Sequence, residues 1–456
     1  MTYSIQISGQ ETNHKGSALV FVQNENTRLI DGGVDIDLSR LIFNQQMPSE
    51  TALDLLLIAS TVYTLDRTVE RFATDDRWTR NISVRIPVYS SELWFRATDK
   101  LTECLNFLSG DKWEFIFENR TVPLYYPKQH KKRKNVSFMR QIPDTVSLFS
   151  GGVDSLVGVI DWLENNSDKT IALVGHHDTT IAGVKSLQEK VFETLNKVYT
   201  DRTVSHFSGI GPNRSKGHGS IKRESTTRSR SFMFLAMGVF LADMIGKNVP
   251  VLIPENGTIA LNVPLTPSRR GSCSTRTAHP YYLNLFQCLL QTINLFHPIV
   301  NPLMDKTKGE VVSNCLNQQI LRITLEGTVS CAKSGHVRCW TNRTANSCGA
   351  CMPCIYRRAA FHKAGIDSET YGYDICKGDV DPDDKKSDTA NDLRACLFFL
   401  SNKYSVDAIA RMLWSNGNIA ADELQNHAET ISRAMEEVRQ FFRDKGTKRI
   451  KQIANR

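Results

Sequence analysis

The chain has 456 residues, 41% of them hydrophobic and 23% charged, which is ordinary globular usage and excludes collagen-like, disordered and disulfide-miniprotein classes. Lys and Arg outnumber Asp and Glu by 56 to 48, a net charge of +8 that suits anionic ligands without requiring nucleic acid. No run approaches the roughly 18 consecutive apolar residues of a membrane span, and the opening MTYSIQISGQETNHKG has neither the basic nor the apolar region of a secretion signal, so a cytoplasmic location with no membrane partner is expected.

Residues 1–143 read as a small α+β domain. Leu55, Ile58, Val62, Leu65, Val69 and Phe72 recur at spacings of three and four, predicting an amphipathic helix over Asp54–Phe72. The alternation of Ile82, Val84, Ile86 and Val88 predicts a strand, then a helix around Thr98–Leu108 and a second strand through Trp113, Phe115 and Phe117. The basic run Lys128–Lys134 is read as a solvated linker, with nucleic-acid contact the alternative.

From residue 144 the texture becomes that of a parallel α/β domain reaching to 375. Val146–Phe149 is a short buried strand, Gly151 and Gly152 a turn, Leu156–Leu163 a helix and Ile171–Val174 a second strand. The polar, basic interval Gly209–Arg230 is expected to be a lid or binding loop leading into an apolar helix over Ser231–Ile245. Val249–Ile253 is a further strand, followed by an irregular stretch from Pro254 to His279. After the acidic linker Asp379–Asp384, residues 385–456 carry helices around Asp392–Asn402, Ser405–Leu413 and Ala421–Lys445 and no catalytic motif.

Chemistry concentrates in two places. Ser150-Gly151-Gly152-Val153-Asp154-Ser155 lies between a buried strand and a helix, where glycines let successive N–H groups form a concave nest and the helix N-terminus adds positive potential. It lacks the Gly-Lys-Ser/Thr ending of a Walker A loop, which argues against kinase- or GTPase-type transfer. Gly175-His176-His177-Asp178 follows the second strand, where open α/β sheets place ligands, although either histidine also suits an ordinary loop. The second place is Cys348-Gly-Ala-Cys351-Met-Pro-Cys354. Of eleven cysteines, five crowd into this region, and without a secretion signal that clustering favours a metal over disulfides. Tetrahedral zinc needs a fourth thiolate, for which Cys331 and Cys339 are the candidates.

The loop resembles the SGGxDS signature of the PP-loop ATP pyrophosphatases. Together with the TxSC…CGxCxxCxxR pattern ending at Arg357 it resembles the 7-cyano-7-deazaguanine synthases, the QueC-like family, over roughly Asp144–Ile366. The resemblance implies a PP-loop, adenine nucleotide alpha hydrolase-like parallel sheet with flanking helices, beside an α+β N-terminal domain and a helical C-terminal tail. It implies ATP bound by Ser150, Gly151, Gly152, Asp154 and Ser155, with His177 nearby and Mg2+ held with help from Asp154. Zinc would be held by Cys331, Cys348, Cys351 and Cys354; the motif selects Cys331, while the spacing in the plain synthases suits Cys339. Arg228-Ser-Arg230-Ser231 stands where the family has PxRN, with Arg228 and Ser231 in place of Pro and Asn.

The family's short substrate segment is replaced by a longer polar, proline-rich one, poor core material and suited to a site wall. Glu255, Asn256, Asn262, Arg269, Thr275, Arg276 and His279 are its candidate substrate contacts. Arg230 and Arg276 join Asp154 as candidate catalytic groups that neutralise phosphate or carboxylate charge. This longer form resembles the QatC branch, found in the four-component Qat anti-phage systems. The implied activity is that of an ATP-dependent C–N ligase. It activates 7-carboxy-7-deazaguanine, or a related nucleobase carboxylate, and an amine then attacks to give an amide, nitrile or protein conjugate. Neighbouring proteins of a defence operon and a second copy of the chain are the expected partners, and nucleic acid is not. A PP-loop tRNA-modifying enzyme and a non-catalytic nucleotide-binding scaffold are the alternatives.

Overall fold

The computed structural model describes residues 2–9, 19–23, 32–36, 38–41, 47–121, 142–177, 184–214, 224, 226–267 and 276–455. They fold as two compact units, one of Met1–Ser150, Asn166–Ile253 and Tyr282–Val300, the other of Gly151–Asn165, Pro254–Tyr281 and Asn301–Arg456. The strands are β1 (Thr2–Gly9), β2 (Leu19–Gln23), β3 (Gly32–Ile36), β4 (Asn81–Val88), β5 (Lys112–Asn119), β6 (Thr145–Leu148), β7 (Ile171–His177), β8 (Thr203–Arg214), β9 (Val251–Leu252) and β10 (Ile299–Val300). The helices are α1 (Glu50–Thr68), α2 (Ser91–Ser109), α3 (Val153–Asn165), α4 (Val184–Val198), α5 (Arg230–Ile245), α6 (Gly257–Ala260), α7 (Pro280–Thr292), α8 (Lys308–Ser313), α9 (Gln318–Thr324), α10 (Met352–Lys363), α11 (Asn391–Ser401), α12 (Val406–Asn416), α13 (Ala421–Lys445) and α14 (Lys448–Ala454). None of the described helices is long and apolar enough to cross a membrane.

The first unit is built on a ten-stranded sheet in the order β10-β9-β6-β7-β8-β3-β2-β1-β4-β5. Its first five members are mutually parallel. Numbered from β6 along the chain, they follow the 3-2-1-4-5 order of doubly wound sheets, whose direction of winding switches between β6 and β9. All four residues of β6 are buried, the polar Thr145 and Ser147 included, as both faces of such a strand are covered. The apolar helix α5 packs on β6, β7 and β9 and also on α1.

The N-terminal strands join this same sheet, through β3 antiparallel to β8. That pairing corrects the expected loop over Gly209–Arg230: residues up to Arg214 are strand, with Ile210 opposite Ile36 and Arg214 opposite Gly32. Residues 215–223 and 225 of that interval lie outside the described residues, as does the basic run Lys128–Lys134. Helix α1 starts at the Ser49 cap, whose hydroxyl accepts from Ala52 N–H, and ends at Thr68 rather than Phe72. Val69 is already extended and Phe72 is 71% exposed, so the apolar period outlasts the helix.

Charge fixes the junction between these N-terminal elements and α5. Arg80 meets Asp66 at 2.5 Å and Asp111 at 2.6 Å, and Arg71 meets Asp111 at 2.6 Å and Asp66 at 3.1 Å, with no side chain more than 5% exposed. The second oxygen of Asp66 accepts the N–H and the hydroxyl of Ser229, the residue before α5, at 2.8 and 2.9 Å. Each buried carboxylate thereby has its lone pairs matched, the condition on which a buried ion pair is tolerated.

The second unit is helical. Ile355 and Tyr356 of α10 share one apolar core with Leu393 and Phe399 of α11, Leu413 of α12 and Phe442 of α13. The C-terminal helices are thus packed against the helix that begins at the last cysteines.

Candidate functional site

In the first unit, Gln188 of α4 binds the ends of β6 and β7 together. Its amide donates towards the carbonyls of Phe149, Ser150 and His176 at 3.2 to 3.4 Å. His176 is fully buried, its Nε2 is 2.8 Å from the Ile210 carbonyl, and its ring meets Tyr63 edge-on. His177 is half-buried beside it. Arg230, exposed at the start of α5, directs Nε to His176 Nδ1 and Nη2 to the His176 carbonyl, each at 3.4 Å. Arg228 of the same motif turns elsewhere: its guanidinium donates to the Ser109 carbonyl and lies 3.8 Å from the Trp78 ring centroid.

The rest of the glycine loop belongs to the second unit. Gly151 has φ 79°, the left-handed conformation that favours glycine, so its place in the motif has a backbone reason. The Ser155 hydroxyl donates to the Gly152 carbonyl at 3.0 Å and closes the turn into α3. Asp154, in the first turn of α3, ends 2.5 Å from the ammonium of Lys308, and both side chains are almost wholly buried. Lys308 opens α8 and was not singled out by sequence reasoning. What was readable is the capping box around it, Thr307 and Glu310, each side chain bonded to the other's backbone N–H.

Glu255 completes this group. Asn301 brackets it, accepting its backbone N–H at 3.3 Å and donating to its carbonyl at 2.8 Å. Asn256 caps α6 by accepting the Ile259 N–H and turns its amide to Glu255 Oε1 at 3.4 Å. Two further bonds join this loop to the one carrying Lys308: Gly257 N–H to the Lys306 carbonyl at 2.9 Å, and Lys308 N–H to the Thr258 hydroxyl at 3.4 Å. Val329, in the TVSC segment, donates its N–H to the Gly151 carbonyl at 3.4 Å.

Burial first, then the Asp154 charge beside it, push the Glu255 carboxyl from 4.5 up to about 8, against the pull of Lys308. Glu255 is thus neutral at pH 7 and can hold a proton next to Asp154. The folded chain binds more protons than the unfolded one between those values, so this contribution to stability is complete below about 4.5 and is lost as pH rises through about 8. The thermal midpoint is expected to fall as pH rises across that window. Glu255→Gln, which is always neutral, should flatten the slope; identical slopes for the two proteins would refute a neutral Glu255.

The remaining candidate substrate contacts fall in several places. Asn262 has φ 44°, and its carbonyl accepts from Asn416 at 3.0 Å. His279 is fully buried with its ring against Gly417, where an added Cβ would come within 2.4 Å of Cε1. Burial first, then Arg276 and His427, lower it to about 3, so it is neutral. Arg276 lies beside it and accepts its N–H at the backbone carbonyl. Arg269 and Thr275 lie outside the described residues.

Cys331, Cys348, Cys351 and Cys354 bring their sulfurs within 4.8 Å of one another. Individual pairs are 3.4, 3.9 and 4.0 Å apart, against about 3.8 Å for sulfurs on a tetrahedral zinc with bonds of about 2.3 Å. Backbone N–H groups of Lys333 and Cys348 point to Cys331 Sγ, and that of Cys351 to Cys348 Sγ, all at 3.3 Å, as suits thiolate sulfur. Gly349, inside the motif, has φ 79° and no room for a side chain against the Tyr373 carbonyl. These four thiols could hold a zinc ion; Cys339 is exposed and outside the group. Arg357 ties the halves of the site together. Fully buried, it forks onto Glu369 and donates to the hydroxyls of Thr328, at 2.9 Å, and Ser330, at 3.3 Å.

Neither a curated protein nor a solved structure matches this chain. A family model described as Queuosine biosynthesis protein QueC matches residues 279–365. The glycine loop and Glu255 precede the matched residues; Lys308, the four clustered cysteines and Arg357 lie within them, and that segment of the chain is QueC-like.

Proposed function

We propose that the protein is a PP-loop enzyme that uses ATP to adenylate a carboxylate and passes the activated acyl group to an amine. The observation that carries this reading is the pairing of Asp154, from the SGGVDS loop, with Lys308, from the QueC-like segment. A carboxylate is a poor electrophile because its leaving group would be oxide. Its oxygen therefore attacks the α-phosphorus of ATP, the bond to pyrophosphate breaks, and the acyl-adenylate forms; an amine then adds at the acyl carbon and AMP leaves with the electron pair.

The residues divide these tasks. Backbone N–H groups of Ser150–Gly152 and the start of α3 receive phosphate, and the Lys308 ammonium offsets charge on the departing pyrophosphate. Asp154 has one buried oxygen without a hydrogen-bond partner among the described residues, a donor suited to Mg2+. Neutral Glu255 keeps a second negative charge out of the same spot and can exchange a proton with the arriving amine or the departing AMP. Zinc on four thiolates has no open position and would hold the TVSC segment to α10, while the protein groups around it set its place.

By the resemblance the substrate is 7-carboxy-7-deazaguanine or a related nucleobase carboxylate. The product is an amide, a conjugate with a partner protein or, where a second ATP adenylates the amide oxygen and that oxygen leaves with AMP, a nitrile, in an anti-phage defence system. The test is to incubate the protein with α-labelled ATP, Mg2+ and 7-carboxy-7-deazaguanine, with and without the neighbouring gene products, following AMP by chromatography and nucleobase and proteins by mass spectrometry. Substrate-dependent AMP is the expected result, and the site of added mass tells free nitrile from protein conjugate. No AMP in any combination would refute the reading.

A further inference from the structure

Helix α13 presents four polar side chains, Asn426, Thr430, Arg433 and Glu437, at spacings of four, three and four, which places them along one helical face. All four bind the short segment that leads into α8. Asn426 donates to the Asp305 carboxylate at 2.8 Å, while Thr430 and Arg433 donate to the Asp305 carbonyl at 3.3 and 2.9 Å. Arg433 also pairs with Glu310, the acidic member of the capping box, at 2.8 Å. Glu437 accepts the Thr307 hydroxyl and, at 3.1 Å, the Gly309 N–H, and is itself held by the Lys363 ammonium at 2.8 Å. A Cβ at Gly309 would come within 2.5 Å of the Glu437 carboxylate, so the two surfaces meet with no spare room.

Helix α8 has six residues, too few to keep its own place in water. Its first residue is Lys308, whose ammonium must stay on Asp154. We propose that Glu437, backed by Arg433, is a positioning residue: by clamping the first turn of α8 it aims Lys308 at Asp154 and the glycine loop. Residues 426–437 lie beyond the QueC-like segment, so the C-terminal helices are part of how the site is held. The inference rests on Lys308 serving the nucleotide, as argued above.

The experiment uses the full chain and compares Glu437→Ala, Glu437→Gln and Glu429→Ala, the last an exposed position on the same helix. Three quantities are followed: acetylation of Lys308 by an N-hydroxysuccinimide ester with peptide mass mapping, amide exchange across α8, and kcat and KM for ATP in AMP formation. For Glu437→Ala, Lys308 acetylation and α8 exchange should each rise about tenfold, and kcat should fall about tenfold or more while KM moves less than about threefold. Glu437→Gln keeps an acceptor oxygen for the Gly309 N–H and should recover about half of each effect on a logarithmic scale. Glu429→Ala should match the wild type. Acetylation and exchange within about twofold of wild type, or exchange rising equally through α11, α12 and α14, would overturn the proposal. If Glu437→Ala does not fold, Glu437→Gln decides it by the same rates. If the wild type forms no AMP, the proposed function fails, and the acetylation and exchange rates still settle the role of Glu437.

Discussion

Asp154→Asn and Lys308→Met are each expected to lower AMP formation by about a hundred- to a thousandfold, and only their combination should return the stability that the single changes remove. The Lys308 side chain is 4% exposed and the Asp154 side chain 12%, so either charge left alone is left out of water. Removing one partner of such a pair typically costs about 3 to 5 kcal/mol, whereas replacing both by neutral groups of similar volume is close to neutral or stabilising. The two singles should differ. Asp154→Asn removes the negative charge that helps keep Glu255 protonated and leaves the pull of Lys308, so Glu255 can ionise and pair with the ammonium. Lys308→Met leaves the Asp154 and Glu255 carboxyls together with no cation between them. Lys308→Met is therefore the more destabilising change at pH 7. The double variant, neutral at both positions, should melt near the wild type yet remain inactive, because the cation that offsets pyrophosphate charge and the carboxylate that serves Mg2+ are both gone. Thermal midpoints and labelled AMP for the four proteins decide the matter. A double variant that turned over ATP at the wild-type rate would sink the nucleotide-site reading, and single variants as stable as wild type would sink the buried pair.

How far the site is legible in the sequence depends on whether its parts are local. The glycine loop is, because strand, Gly151 and helix follow one another within a few residues and the left-handed backbone at Gly151 needs glycine. The cysteines at 348, 351 and 354 are legible for the same reason; for the fourth ligand the TVSC motif points to Cys331 and the family spacing to Cys339, and the fold brings Cys331 to the other three. Lys308 is local to nothing that marks it: its partner lies 154 residues earlier, and the surrounding TKGE reads as an ordinary capped helix start. The α13 stripe fails differently, since polar residues at helical spacing look like a solvated face until the segment they bind is known. Nonlocal pairing also hides β8, where Gly211 and Pro212 suggest a loop but antiparallel pairing to β3 makes a strand. In the stretch read as a site wall, composition misleads in a further way. A histidine among prolines and arginines suggests exposure, yet His279 is buried against Gly417.

Cys331→Ser is expected to lose zinc that Cys339→Ser retains, and with it the order of the QueC-like segment. The four sulfurs converge from two stretches of chain, Cys331 on one side and Cys348, Cys351 and Cys354 on the other, so zinc would act as a cross-link between them. Cys331 also accepts the Lys333 and Cys348 N–H groups, which a serine oxygen, smaller and less polarizable, reaches poorly. Loss of an outer-shell partner lowers metal affinity by about 10- to 100-fold, and loss of a ligand exceeds that. Cys339 is exposed and apart from the cluster, so its thiol should contribute nothing to binding. Consequences should run inward along Arg357, whose hydrogen bonds to Thr328 and Ser330 keep the TVSC backbone in place. Because Val329 of that backbone donates to the Gly151 carbonyl, releasing it removes a support from the glycine loop, and ATP affinity should weaken although no cysteine touches a nucleotide. Zinc content by elemental analysis, thermal midpoint and ATP binding for the wild type, the two serine variants and chelated wild type provide the comparison. Chelated wild type should reproduce Cys331→Ser in all three readings. Zinc lost from Cys339→Ser instead, or Cys331→Ser retaining stoichiometric metal, would reverse the assignment of the fourth ligand. Weakened ATP binding without any loss of zinc would place the effect of Cys331 in its backbone hydrogen bonds rather than in the metal.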